Sequence, residues 1–289
     1  MSSFSLRRAA LLVALLLAGV IPSAAVLAER TVITPPAFTG LLTNPGIGVA
    51  SFHDGYGQKP SLKEYPDTGF EYDRFYWSDL EPEEGVYDFA PIDRAFSVAA
   101  RHQPAMNVGL RFMALDEPQS GSKIPAWLIK KGIQGQWVEN GKTFVPDLSD
   151  PTFIAYAQKL LNALGARYDG NPNLAFVDIG MVGSWGEWHN SNFPDVAPLL
   201  EKYAPEQLNR YVDMHFSSFP KTPKIMLISG GNSLVWASQK GAGWRADCWG
   251  DWHNFSAEWS HMRDDYPQRL AAAQTAWSGF NDSWQHAPV

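Results

Sequence analysis

Six residues, Trp185-Gly186-Glu187-Trp188-His189-Asn190, recur with one change as Trp249-Gly250-Asp251-Trp252-His253-Asn254. Each copy sets a carboxylate between two indoles and follows it with an imidazole and an amide. A carboxylate can donate or accept a proton, and an indole offers an apolar face with one N–H. Aromatic faces with a few convergent polar groups suit a ring-shaped polar ligand, and a sugar is such a ligand. Indoles beside Glu187 would desolvate it and raise its pKa, keeping it protonated as a general acid. The structural alternative is a pair of loops whose indoles plug the top of a core.

Glycoside hydrolysis needs a second carboxylate, about 5–5.5 Å away for retention and about 6.5–9.5 Å away for inversion. Asp251 is the candidate by motif symmetry, and Asp247 is next. Either could instead bind sugar hydroxyls. His189 and His253 beside these acids raise the question of a metal, but Glu-x-His is not a helical metal-ligand spacing. No metal and no cofactor is therefore expected. No Gly-x-Ser-x-Gly nucleophile motif occurs.

These residues need a scaffold, and the chain alternates apolar runs with helical patterns. Expected strands cover Ile47–Phe52, Tyr72–Trp77, Ala105–Met113, Leu174–Gly180, Lys224–Ser229 and Trp244–Cys248. Expected helices cover Ala90–Arg101 behind Asp88, a helix to Tyr168 opened by Asp150-Pro151, Pro205–Phe219, Ser233–Lys240 and Asp264–Trp277. Such alternation implies βαβ units and a parallel sheet. No Gly-x-Gly-x-x-Gly follows the first strand, so a (β/α)8 TIM-type barrel is expected, with functional groups at strand C-termini. Arg111, Glu187, Asp247 and Asp251 fall at or just beyond such ends. About six βα units are counted. Ala287-Pro288-Val289 reads as the opening of a seventh strand, so the barrel is expected to be incomplete at the C-terminus.

The acids of Trp77-Ser78-Asp79-Leu80-Glu81-Pro82-Glu83-Glu84-Gly85 are read as structural, through turn and capping chemistry. The long stretch from Ala114 to Asp150 has the length of a functional loop.

Arg7 and Arg8, an apolar run from Ala9 to Val20 and Val26-Leu27-Ala28 form a signal-peptide pattern, with cleavage expected after about 28 residues. Residues 29–289 then form one barrel domain. The apolar run is short for a membrane span, so a secreted or periplasmic protein without a stable membrane anchor is expected. The net charge of −7 argues against a nucleic-acid partner. With Cys248 as the only cysteine, no intramolecular disulfide can form, and stability must come from the core.

The Trp-Ser-x-Leu-Glu-Pro-x-x-Gly-x-Tyr-Asp-Phe stretch from Trp77 resembles the segment after strand two in barrel glycoside hydrolases of the large retaining clan. It is most similar to the family 42 β-galactosidase-like barrels and their uncharacterised bacterial relatives. Asn44-Pro45-Gly46 and the Gly183–His189 run share that resemblance, which spans about residues 44–289. The resemblance implies a retaining hydrolase with Glu187 as acid/base at the end of strand four. It departs where Gly186 replaces the usual Asn, and no residue matches the clan's strand-seven nucleophile.

The reading is an exported glycoside hydrolase acting on β-linked glycosides, with Glu187 catalytic and its nucleophile missing from this chain. Arg111, Trp185, Trp188, His189, Asp247, Trp249, Asp251 and His253 line the expected sugar site. The alternative is a non-catalytic carbohydrate-binding protein on a hydrolase-like barrel.

Overall fold

A computed structural model describes residues 50–52, 70–101, 105–247 and 278–281. All lie in the compact unit Thr43–Val289. Strands β1 (Ala50–Phe52), β2 (Phe70–Tyr76) and β3 (Asn107–Met113) are followed by β4 (Gly135–Val138) and β5 (Thr143–Pro146). Then come β6 (Leu174–Asp178), β7 (Lys224–Leu227), β8 (Gly243–Asp247) and β9 (Ser278–Asn281). Seven of these form one sheet in the order β1-β2-β3-β6-β7-β8-β9, and every pairing in it is parallel. Strands neighbouring in sequence are neighbours in space, as in a TIM barrel, and the described residues form a partial one.

The sheet is curved, and one bond shows it. Arg245 on β8 reaches Asp178 on β6 across the intervening β7, at 2.5 Å. In β3 the odd and even positions separate cleanly. Val108, Leu110 and Phe112 join the main hydrophobic core, while Arg111 meets polar side chains from β2 and β6. Every residue of β3 after Asn107 is buried, as expected for a parallel strand covered on both faces.

The helices form where their caps and patterns dictate. Helix α1 (Ala90–Arg101) starts beside Asp88, whose carboxylate accepts the Ala90 N–H at 3.0 Å. Helix α2 (Pro151–Tyr168) has Pro in its first turn and Asp150 as its cap, accepting from Phe153 N at 2.7 Å. Helices α3 (Pro205–Ser218) and α4 (Gly231–Gln239) follow, with α3 packed between α2 and α4.

Two expectations differ from what is observed. The Ala114–Asp150 connection contains the antiparallel hairpin β4–β5, held outside the main sheet. The seventh strand of the sheet is β9, residues 278–281, paired parallel with β8, and Ala287–Val289, which was expected to open that strand, lies outside the described residues. Its residues are Ser, Gly, Phe and Asn, so it carries no carboxylate. The signal-peptide pattern and the helix expected over Asp264–Trp277 lie outside the described residues.

Candidate functional site

Inside the curved sheet, four strands supply a buried charged cluster. Asp178 ends β6 and is fully buried. Its Oδ2 accepts from Tyr72 Oη at 2.5 Å, Arg111 Nε at 3.1 Å and Arg245 Nε at 2.5 Å. Arg111 Nε also donates to Tyr72 Oη at 2.6 Å. Register explains part of this convergence: Arg74, Arg111 and Asp178 pair side by side on β2, β3 and β6. Buried charges must be paired, and here one carboxylate is shared by two guanidinium groups and a phenol. Burial would raise the Asp178 pKa, but Arg245 and Arg111 outweigh it and hold it below the usual range.

Arg111 carries the cluster outward to Glu187. Its Nη1 donates to the Trp185 carbonyl at 2.7 Å and to Glu187 Oε1 at 3.0 Å. Arg74 Nη1 stands 3.9 Å from the same oxygen. His189 Nε2 lies 3.5 Å from Glu187 Oε2, and Ser191 Oγ lies 3.0 Å from His189 Nδ1. Ser229, following β7, donates its hydroxyl to the Glu187 carbonyl at 2.7 Å. The Glu187 side chain keeps 13% of its surface exposed and His189 keeps 22%, so both reach solvent at the mouth of the sheet.

Glu187 does not sit on the strand end itself. Eight residues separate it from Asp178, and the chain makes a tight helical turn at Ser184–Gly186 on the way. Trp185 and Trp188 both have positive φ, at 51° and 60°. A non-glycine residue in that region costs about 1–2 kcal/mol, so the surroundings must hold the loop in place. They do so through Trp185 N to Leu115 O at 3.0 Å, Ser184 N to His189 O at 2.7 Å and Trp188 N to Val182 O at 3.0 Å.

Two glycines make the approach possible. A Cβ on Gly180 would lie 2.4 Å from Arg111 Cγ, so the bare backbone is what lets Arg111 pass. Gly186 has φ +70°, and a Cβ there would lie 2.1 Å from the Gly180 carbonyl oxygen. The Asn that the retaining clan carries before its Glu cannot fit at this position.

Several expectations need correction. Glu187 lies between two indoles, yet neither indole N–H touches it. Burial would raise its pKa, but the His189 contact and the charges of Arg111, Arg245 and Arg74 pull it well below the ordinary glutamate value. Its resting form is the anion and not the expected protonated acid. Trp188 was expected to face sugar. It is instead 1% exposed, belongs to the main core and donates its indole N–H to Ile179 O at 2.6 Å. Arg111 is fully buried beneath Glu187, so it positions that carboxylate rather than lining the cleft. Trp185 remains half-buried with its ring 6.1 Å from that of His189.

Asp247 is the last residue of β8. Trp249, Asp251 and His253 lie outside the described residues, so the second motif cannot be brought to the first. Sequence reasoning missed Tyr72, Arg74, Asp178, Arg245, Ser191 and Ser229. The signal for Asp178 and Arg245 was present: a charged residue inside a mostly apolar strand must find a buried partner.

In a parallel barrel-type sheet functional groups sit at the C-terminal mouth, and here that mouth carries a carboxylate held by an arginine from below. Comparison with known proteins agrees. Residues 66–181 match the family model of glycoside hydrolase family 42, described as β-galactosidase, and the chain is similar to that family. The matched stretch includes Arg111 and Asp178 and ends before Glu187. Among curated relatives, the β-galactosidase BbgII of Bifidobacterium bifidum is 30% identical over 125 residues, which is 41% of this chain and 15% of the relative. The chain spans about 15% of the length of the curated relatives it matches. Among solved structures, a cold-adapted β-galactosidase from Rahnella sp. R3 is 16% identical with a TM-score of 0.42, covering 67% of this chain and 36% of that one. Xylanase 10B from Thermotoga maritima is 12% identical with a TM-score of 0.46, covering 82% and 69%.

Proposed function

We propose that this protein is an exported glycoside hydrolase that cleaves β-linked glycosides, β-galactosides among them, by a retaining two-carboxylate mechanism, with Glu187 as one carboxylate and no residue of this sequence matching the nucleophile. The observation that carries this reading is Glu187, a solvent-reaching carboxylate fixed at the mouth of the sheet by Arg111. Trp185 offers an apolar face for a sugar ring, while His189 and Ser191 offer polar groups for hydroxyls. Asp178, the other carboxylate of the cluster, is fully buried and occupied by Arg111, Arg245 and Tyr72, so it serves the scaffold.

Glu187 starts as an anion and must gain a proton before it can give one to a glycosidic oxygen. A sugar covering the cleft removes water and deepens burial, the influence that raises this pKa. Once protonated, Glu187 gives its proton to the leaving oxygen while a second carboxylate, the group that no residue of this sequence matches in the resemblance, bonds to the anomeric carbon; Glu187 then takes a proton from the water that displaces that carboxylate.

The test is turnover of paired β-galactosides with good and poor leaving groups by the wild type and Glu187→Gln. General acid help matters most for basic leaving oxygens, so the variant should lose about 10²–10⁴-fold on the poor leaving group and much less on the good one. An equal rate for wild type and variant on both substrates would remove Glu187 from the mechanism. The resting anion and Gly186 in place of Asn favour a second reading, a carbohydrate-binding protein without turnover. Glycan binding retained with no wild-type hydrolysis would establish that reading instead.

A further inference from the structure

Asp178 is fully buried, yet a single side chain joins it to Glu187. Arg111 Nε meets Asp178 Oδ2 at 3.1 Å, and Arg111 Nη1 meets Glu187 Oε1 at 3.0 Å. One planar guanidinium thus carries the buried carboxylate on one side and the solvent-reaching one on the other. A guanidinium is rigid and stays charged, so what binds one side is felt at the other.

The arginine has little freedom to turn. Tyr72 Oη accepts from its Nε at 2.6 Å and donates to Asp178 Oδ2 at 2.5 Å, which closes a triangle of hydrogen bonds. The guanidinium carbon lies 5.2 Å from the centroid of the Tyr72 ring. The stem runs beside Gly180, where a Cβ would lie 2.4 Å from Arg111 Cγ. At the far end Nη1 also donates to Trp185 O at 2.7 Å, so one nitrogen holds both the loop and its carboxylate. By anchoring Nε, Asp178 sets the direction of Nη1.

Charge makes a second link. Among the described residues, the charged or titratable groups around Glu187 come from four strands and its own loop. Arg74 and Tyr72 stand on β2, Arg111 on β3, Asp178 on β6, Arg245 on β8 and His189 on the loop. The end of β7 adds the neutral hydroxyl of Ser229. All three arginines favour the Glu187 anion. Among these groups Asp178 is the opposing charge: it binds Arg111 directly, and Arg245 through Nε at 2.5 Å. The same arginines hold Asp178 itself as an anion. Without that charge, Glu187 would face the guanidinium groups unopposed and would release its proton more readily.

We propose that, beyond its part in the scaffold, Asp178 is a positioning residue for Glu187, aiming the Arg111 fork at its carboxylate and offsetting the guanidinium charge around it. The catalytic meaning of this role rests on the glycoside-hydrolase reading above; the coupling between the two carboxylates does not. The coupling is therefore read first without turnover. In the full ¹³C-labelled chain at pH 7, Glu187→Gln should move the carboxyl signal of Asp178, because Arg111 loses the anion on its other side. The signal of Asp93, bound to Arg167 on the outer surface, should stay in place. An unmoved Asp178 signal overturns the proposal.

Turnover of a chromogenic β-galactoside then gives the sign. The alkaline limb of kcat against pH reports the acid group in the substrate complex. Asp178→Asn removes the opposing charge and should move that limb to lower pH. Arg245→Gln removes a guanidinium and should move it to higher pH. Charges about one side chain apart, at an effective dielectric of about 20, predict shifts of about 1–2 pH units. Tyr72→Phe cuts two bonds of the same cluster without changing its charge and should leave the limb in place.

Asp178→Asn and Arg245→Gln disturb the same Asp178–Arg245 bond, so a merely structural role would move the limb alike in both. Shifts in one direction, or no shift, overturn the proposal. A wild type that cleaves no glycoside ends the hydrolase reading, and the Asp178 signal then decides the coupling by itself. The same signal decides it where a buried variant does not fold.

Discussion

Glu81 and Glu187 are two largely buried glutamates, each set close to a tryptophan in sequence, and their surroundings drive them in opposite directions. Glu81 is 1% exposed, and its oxygens take neutral donors: the Trp77 indole N–H at 2.7 Å and the Gly85 N–H at 3.0 Å. Burial is the largest influence there, and the Glu81 pKa is raised. Glu187 is more exposed, and its donors are charged or chargeable: Arg111, Arg74 and His189. Its pKa is lowered. Proximity to indoles in sequence does not decide the protonation state. What the carboxylate oxygens touch decides it.

The comparison separates a structural acid from the proposed functional one. Glu81 closes the turn after β2, and its backbone carbonyl accepts the Trp127 indole N–H at 3.0 Å, so both its polar ends serve the fold. Glu187 is held from below and left open above. The largest expected effect follows from that difference. Glu187→Gln should lower turnover of a β-glycoside with a basic leaving group by about 10²–10⁴-fold, while circular dichroism shows an unchanged fold. Glu81→Gln should leave turnover within a few-fold of wild type. Equal losses in the two variants would erase the distinction.

Arg111 sharpens it further. Replacing Arg111 by Met leaves Asp178 and Glu187 short of their shared cation, and breaking a buried pair costs about 3–5 kcal/mol. Urea unfolding should show that loss as a fall in midpoint. Lys should not rescue it, because Nε and Nη1 are both used and an ammonium cannot supply the fork. Full rescue by Arg111→Lys would mean that charge alone matters at this position.

Gly186→Ala tests the loop that presents Glu187. A Cβ there faces the Gly180 carbonyl and a positive φ, so we expect a destabilisation of about 2–5 kcal/mol in thermal or urea unfolding. A neutral outcome would require the 183–188 loop to take another path.

The smallest effect is expected at Glu81. Gln presents an amide where two donors converge, which costs about 1–2 kcal/mol. The pH dependence of stability gives the sign. A lowered folded pKa, as at Glu187, adds stability that is present above the ordinary glutamate value of about 4.3 and lost as pH falls through the folded value. A raised folded pKa, as at Glu81, works in reverse: stability falls as pH rises from about 4.3 through the folded value. Glu187→Gln should therefore flatten the acid loss of stability, and Glu81→Gln should steepen it. Matched urea midpoints across pH 3–7 read both.

How much of this was legible in the sequence depends on the kind of signal. Helices α1 and α2 were readable because Asp88 and Asp150-Pro151 mark their starts by local hydrogen bonding. The parallel, barrel-type sheet was readable because its strands are apolar and alternate with helices. The β4–β5 hairpin also had a signal, Asn140-Gly141 between two β-prone runs, with Glu139, Asn140 and Gly141 all at positive φ. It was overlooked because that stretch was read as one long loop. Trp188 was misplaced because its neighbours on both sides are polar, while its own direction is set by the φ of a single residue. The charged cluster was not legible as a cluster, since Tyr72, Arg111, Asp178 and Arg245 meet only when four strands curve together.

The contrast between the two glutamates is tested most directly by following their carboxyl carbons in ¹³C-labelled protein through an NMR pH titration. Glu81→Gln and Glu187→Gln spectra assign the two signals. The account predicts that Glu187 titrates below the ordinary glutamate value of about 4.3 and Glu81 above it. A Glu187 signal that titrates above that value, or above Glu81, would contradict it.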